Sequence, residues 1–236
     1  MPLFEELDWQ PTPLGALTLR RRRLIGLGRD VVEVKLGEEH LMSDLFTAGE
    51  IALAEIGLAA AAGDELDVAV GGLGLGYTAQ AALADPRVAS VLVIEALAPV
   101  IDWHRRGLVP IGDVLATSPR CELVEADFFA LAAAGRLDPA RPQRRFDAVL
   151  LDVDHSPSRV LHAGNAALYG REGLARLRGG LAEGGVFALW SDDPAEPGFL
   201  ADLEAVFGQA RAEAVGFDNP LDGGRAENTV YVARRT

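Results

Sequence analysis

Leu66-Asp67-Val68-Ala69-Val70-Gly71-Gly72-Leu73-Gly74-Leu75-Gly76-Tyr77 is an apolar run that passes directly into glycines. Leu66 to Val70 reads as a buried strand, and a helical segment opens at Thr78, so the glycines form a strand-to-helix turn. Glycine there lets backbone approach a ligand closely and leaves the first N–H groups of the helix free. Gly71, Gly72, Gly74 and Gly76 are more glycines than a tight turn needs, although close helix–strand packing is the simpler use of such residues.

Strands and helices alternate outward from this turn. Val88 to Ile94, Cys121 to Glu125, Phe146 to Leu151 and Gly185 to Trp190 read as strands. Pro99 to Arg106, residues 170–182 and Phe199 to Phe207 read as helices. Ala210 to Gly216 and Thr229 to Ala233 are strands with no helix between them. The pattern predicts an α/β fold built on a Rossmann-like, mostly parallel sheet of seven strands, one of them antiparallel near the C-terminal end. Residues 8–45 read as strands and Phe46 to Leu58 as a helix. The expected organisation is a small β-hairpin region over residues 1–45 and an α/β catalytic domain over residues 46–236.

Composition narrows the function. The 236 residues carry a formal net charge of −13, which argues against nucleic acid as a partner, because phosphate contacts need clustered Lys and Arg. Arg20-Arg21-Arg22-Arg23 runs against that trend and is expected to be a solvated strand end, with contact to an anionic group as the alternative. Cys121 is the single cysteine, so no disulfide forms within the chain and no thiolate metal cluster is possible, as suits a reducing compartment. The start Met1-Pro2-Leu3-Phe4-Glu5-Glu6 lacks the features of a secretory signal, and no apolar run is long enough for a membrane span. The expected location is the cytoplasm, away from membranes.

The chemistry-bearing side chains fall where strands end. Glu95 ends the second strand of the alternation, where an acid can accept from two ribose hydroxyls or simply face solvent. Asp127, followed by Phe128 and Phe129, suits an adenine, or equally a helix cap. Asp152, Asp154 and His155 follow the fourth strand, the edge at which open α/β sheets place their active sites, and are the candidate catalytic residues. They could bind an amine or remove a proton, and no metal site is expected. Asp192 and Asp193 border the same edge, with a solvated loop as the default. His104 and His162 read as structural.

These residues together resemble the spermidine synthase-like proteins within the class I S-adenosylmethionine-dependent methyltransferase fold. The likeness runs from the N-terminal hairpins through the loop 71–76, Glu95, Glu125-Ala126-Asp127, Asp152, Leu168-Tyr169 and Leu181-Ala182-Glu183-Gly184-Gly185-Val186 to the closing strand pair. The resemblance implies that Gly71, Gly72, Gly74, Gly76, Glu95, Asp127 and Asp152 hold S-adenosylmethionine or its decarboxylated form, with Glu95 on the ribose, Asp127 on the adenine and Asp152 serving the reacting amine. Three positions depart from the family. Gly74 stands where aminopropyltransferases carry an acid that pairs with the donor's amine. His155 stands at the family's second acid after the fourth strand, with Asp154 beside it. A Tyr-His-Glu cluster has no clear match around Leu45-Phe46-Thr47.

Gly74 favours the intact cofactor, because no acid repels its carboxylate and the loop N–H groups are left to bind it. The expectation is therefore methyl transfer to a small molecule, with Gly74→Asp shifting preference to the decarboxylated donor. The alternative is aminopropyl transfer to a diamine, which the acidic chain suits. A nicotinamide-dependent oxidoreductase, on the loose glycine pattern Gly74 to Ala79, and a catalytically silent adenosine-binding module are further readings. The hairpins could pair across a homodimer.

Overall fold

The computed structural model describes residues 3–236; Met1 and Pro2, with which the expected N-terminal region begins, lie outside the described residues. Four antiparallel strands open the chain: β1 (Phe4–Thr12), β2 (Gly15–Leu24), β3 (Arg29–Leu36) and β4 (Glu39–Ser43), paired in sequence order. The arginine run lies within β2 and alternates across it, as strand geometry requires. Arg20 and Arg22 converge on Glu33 of β3, whose carboxylate is buried. Burial pushes Glu33 upward, but the hydrogen bonds from Arg22 and Arg20 outweigh it and hold the group below the ordinary carboxylate value. Arg21 and Arg23 meet Glu5 and Asp30 on the other side. The run is partly solvated, and its charges are paired with carboxylates of the neighbouring strands, Glu33 buried and Glu5 and Asp30 nearer solvent.

The main sheet comprises β5 (Leu66–Gly71), β6 (Val88–Glu95), β7 (Cys121–Glu125), β8 (Phe146–Leu151), β9 (Leu181–Ser191), β10 (Gly208–Asn219) and β11 (Gly224–Arg235). Their spatial order is β10-β11-β9-β8-β5-β6-β7. All neighbours from β9 to β7 pair in parallel, and β11 runs antiparallel between β9 and β10. The expected seven strands with one reversed strand are therefore present. An all-parallel sheet of six strands, which would favour the oxidoreductase reading, does not form.

Side chains alternate across this sheet into two cores. Val68, Val70, Val91, Val93, Ala148, Leu150, Val186 and Ala188 face one side, and Ala69, Leu92, Ile94, Val149, Leu151, Phe187 and Leu189 face the other. The first core also contains Leu17, Leu19, Val32 and Val34, so the N-terminal sheet packs into the same apolar cluster as the main sheet.

The helices are α1 (Ala48–Ala60), α2 (Tyr77–Ala84), α3 (Ala98–Arg105), α4 (Gly112–Thr117), α5 (Phe128–Ala133), α6 (Arg171–Arg178) and α7 (Pro197–Phe207). The helix expected over 170–182 stops at Arg178, because Gly179 and Gly180 end it and Leu181 already pairs with Phe146 in the sheet. Among the described residues no helix is long and apolar enough to cross a membrane.

Candidate functional site

Strand register assembles the site. Gly71 ends β5 opposite Ile94 of β6 on one side and Leu151 of β8 on the other. The next residues on those two strands, Glu95 and Asp152, therefore flank the glycine loop at one level. Gly72 N–H donates to Ile94 O at 2.9 Å, and Asp152 N–H to Gly71 O at 2.8 Å. The chain winds from β5 through β6 to β7, then crosses to β8, so the β5–β8 junction is the topological switch point where ligands bind in open α/β sheets.

The loop needs its glycines for contact with protein. Gly72 has φ +91°, and a Cβ there would collide with the carbonyl oxygen of Asp152. A Cβ at Gly71 would lie 2.7 Å from a ring carbon of Phe128. At Gly76, φ +94°, it would press on Leu115 and His104. Gly74 has φ +47° and faces Met42 of β4, so that a Cβ would collide with the Met42 sulfur. The Gly74→Asp exchange suggested by the sequence thus meets an occupied space.

Glu95 ties the loop to β6. Its Oε2 accepts from Leu73 N–H at 2.9 Å and its Oε1 from Leu97 N–H at 2.8 Å. Burial pushes the carboxyl upward against these backbone bonds. A carboxylate offers about four lone-pair positions, so a ribose diol can share these oxygens with the loop N–H groups. Bonds to a charged acceptor are worth about 1.5–3 kcal/mol. Glu95→Ala should therefore weaken binding of an adenosine nucleotide by at least about tenfold in calorimetric titration; unchanged affinity in the folded variant would remove the ribose assignment.

Asp127 is the N-cap of α5. Its Oδ1 accepts from Phe129 N–H at 2.8 Å and Ala130 N–H at 3.1 Å, the capping use open to it in the sequence. The side chain is exposed, and Oδ2 has no partner among the described residues.

The cluster after β8 divides. Asp152 Oδ2 accepts from the Thr78 hydroxyl at 2.6 Å, at the start of α2. Asp154 is 1% exposed and belongs to the following loop: it accepts from Leu161 N–H at 2.7 Å, Asn165 Nδ2 at 2.9 Å and the Tyr169 hydroxyl at 2.7 Å. A carboxylate so enclosed organises the 154–169 segment and has no free face for a substrate, which counts against its catalytic assignment. His155 pairs through Nε2 with Glu39 of β4 at 2.8 Å, tying this loop to the N-terminal sheet. Asp192 and Asp193 are held by Arg159 at 3.1 and 2.8 Å. His162 accepts from Gly164 N–H, a structural role.

The acid that sequence reasoning missed is Glu50, in the first turn of α1. Gly49 and Gly57 lie on the buried side of that helix, with Gly49 against Trp190 and Asn228, and Gly57 against Leu150 and Ala188. Their lack of side chains lets α1 lie close on β8 and β9. Glu50 is thereby brought within reach of the Asp152 charge: burial first, and then Asp152, push it well above the ordinary glutamate value. Burial likewise raises Asp152, against the Thr78 hydrogen bond. A carboxyl lifted in this way by burial and a neighbouring negative charge is favoured by a proton or a nearby cation. Thr78 touches both elements, reaching the Glu50 carbonyl at 3.4 Å.

No protein-family model and no curated protein matches this chain. Solved structures do. A spermidine synthase in complex with the transition-state analogue AdoDATO superposes with a TM-score of 0.75 over 98% of this chain and 74% of its own, at 18% identity. The spermidine synthase from Thermotoga maritima gives 0.73 over 98% and 72%, at 17% identity. A probable spermidine synthase from Corynebacterium glutamicum gives 0.66 over 100% and 81%, at 18% identity. The N-terminal four-stranded sheet and the seven-stranded sheet with its reversed β11 together make the fold of this chain the spermidine synthase fold.

Proposed function

We propose that this chain transfers an aminopropyl group from decarboxylated S-adenosylmethionine to an amine. The observation that carries this reading is the half-buried pair Glu50 and Asp152 beside the glycine loop, both raised in pKa first by burial, with the Asp152 charge lifting Glu50 further. A cation between them relieves both costs, and a carboxylate-bearing ligand adds to them. The structural neighbours, all spermidine synthases or probable ones, favour the same chemistry.

The argument for methyl transfer loses its footing in the loop. It required backbone N–H groups free to bind a carboxylate. Leu73 N–H is taken by Glu95, Leu75 N–H by the Met42 sulfur at 3.2 Å, and Gly72 N–H by the Ile94 carbonyl. An intact methionine tail would place its carboxylate near two acids, with donors left to receive it, among the described residues, only at Gly76 and the start of α2.

In this reading Glu95 orients the ribose, and the exposed Oδ2 of Asp127 is available to the adenine amino group. The donor, when bound, supplies an electrophilic carbon beside its sulfonium; the amine nitrogen bonds to that carbon as its bond to sulfur breaks, and methylthioadenosine leaves. Asp152 and Glu50 attract the acceptor as an ammonium, and the ionised Asp152 takes the proton that the attacking nitrogen must lose. Titration of both donors tests the proposal: the decarboxylated form should bind at least about tenfold more tightly than intact S-adenosylmethionine. A preference for the intact form would return methyl transfer to the lead, and a turnover assay across amines separates an enzyme from a silent binding module.

The acid pair also sets a pH dependence. Both carboxyls titrate above their unfolded values, so the folded chain keeps protons that the unfolded chain has released. Unliganded stability should then fall as pH rises from the ordinary carboxylate range through the raised values, and Glu50→Gln should flatten that fall. A diamine such as 1,4-diaminobutane should bind more tightly over the same rise and release protons, read as a buffer-dependent heat in calorimetry. Binding heats independent of buffer would exclude the pair as the amine site.

A further inference from the structure

The glycine loop is gripped at Gly74 from two sides. On one side His104 of α3, fully buried, lies with Nε2 at 2.9 Å from the Gly74 carbonyl. The carbonyl can only accept, so Nε2 carries the proton. On the other side Met42 reaches over from β4, its sulfur accepting from Leu75 N–H at 3.2 Å and filling the space into which any side chain at position 74 would project. A thioether is a weak acceptor on a flexible stem and adapts to an irregular gap. Met42 is the point at which the N-terminal sheet touches the loop.

We infer that Met42 is a specificity-determining positioning residue: with Gly74 it keeps the loop free of any charged side chain, so that the negative charge felt by the donor's tail is that of Glu50 and Asp152, the acids that also draw the acceptor. This rests on the aminopropyl-transfer reading for the identity of the tail. The matching of Met42 to Gly74 does not depend on it. An acid at position 74 must displace the Met42 thioether, which its flexible stem allows but which takes the sulfur away from Leu75 N–H; the positive φ itself is tolerated by aspartate better than by most residues. Shortening position 42 lets the charge move from α1 and the end of β8 onto the loop without that displacement.

The test compares wild type, Gly74→Asp, Met42→Ala, Met42→Leu and the double variant Met42→Ala/Gly74→Asp. Methylthioadenosine, decarboxylated S-adenosylmethionine and intact S-adenosylmethionine are titrated into each, with thermal unfolding alongside. Gly74→Asp alone should weaken methylthioadenosine by about tenfold or more and lower the unfolding temperature, since a displaced loop disturbs even the uncharged ligand. The double variant should recover methylthioadenosine to within about threefold of wild type and raise the preference for the decarboxylated over the intact donor by about tenfold. Met42→Leu keeps the volume and loses the sulfur acceptor. It should weaken the tailed donors more than methylthioadenosine. Wild-type affinity in Gly74→Asp, or no recovery in a folded double variant, overturns the matching of the two residues. A wild-type preference for the intact donor with recovery in the double variant instead sinks aminopropyl transfer and leaves the Met42–Gly74 matching standing. A folded wild type that binds none of the three ligands overturns both.

Discussion

Asparagine in place of Asp152 should lower the turnover number for amine transfer by about 10²–10⁴-fold, the usual contribution of a positioned proton acceptor, while adenosine nucleotides still bind. The exchange preserves shape, and the Thr78 hydroxyl, 2.6 Å from Oδ2, can still donate to an amide oxygen. The charge is lost. Glu50, no longer facing a neighbouring carboxylate, should return toward the ordinary glutamate value, from which the Asp152 charge helps to lift it. Residual activity should then carry its acid limb at lower pH than wild type. Turnover within about threefold of wild type, less than any general-base contribution, would show that Asp152 does not handle the proton.

Asp154→Ala should act on stability. The carboxylate receives the Leu161 N–H, the Asn165 amide and the Tyr169 hydroxyl, and alanine would leave these donors without their acceptor. Each stranded buried donor costs about 1–3 kcal/mol, so a loss of about 3 kcal/mol or more is expected in denaturant unfolding. Tyr169 offers a second readout. Burial, with the Asp154 charge added, holds its phenol well above the ordinary tyrosine value, and that second contribution should vanish in the variant. An unchanged unfolding midpoint would mean that the carboxylate is not the hub of the 154–169 segment, and would restore it as a candidate for catalysis.

The inner strands of the main sheet were legible because parallel strands covered on both faces read as short apolar runs, as Phe146 to Leu151 does, and the edge strand Cys121 to Glu125 also emerges with the limits expected. The strand-end acids Glu95 and Asp152 were legible for the same reason, since a run that stops on an acid marks the sheet edge. Glu50 was not. It stands in a helical pattern far along the chain from Asp152, where an acid ordinarily faces water. The one available signal was the pair of glycines, Gly49 and Gly57, on the side of α1 that packs on the sheet. The Met42 contact left no local trace, because its meaning depends on a fold-back of the N-terminal sheet. Asp154 read as a partner of Asp152 because residues two apart share a face in extended chain, but β8 ends at Leu151, and Asp154 turns into its own loop.

The reversed strand has a consequence for how the molecule comes into being. β11 lies between β9 and β10, and β10 meets the sheet only through it. During synthesis β10 therefore leaves the ribosome before the strand that will hold it, and β9 presents a bare edge until residues 224–235 follow. A nascent chain halted after Asn219 should thus expose an unpaired parallel strand, the kind of edge that recruits chaperones or other chains. The last sheet strand to be made is the one that seals the fold.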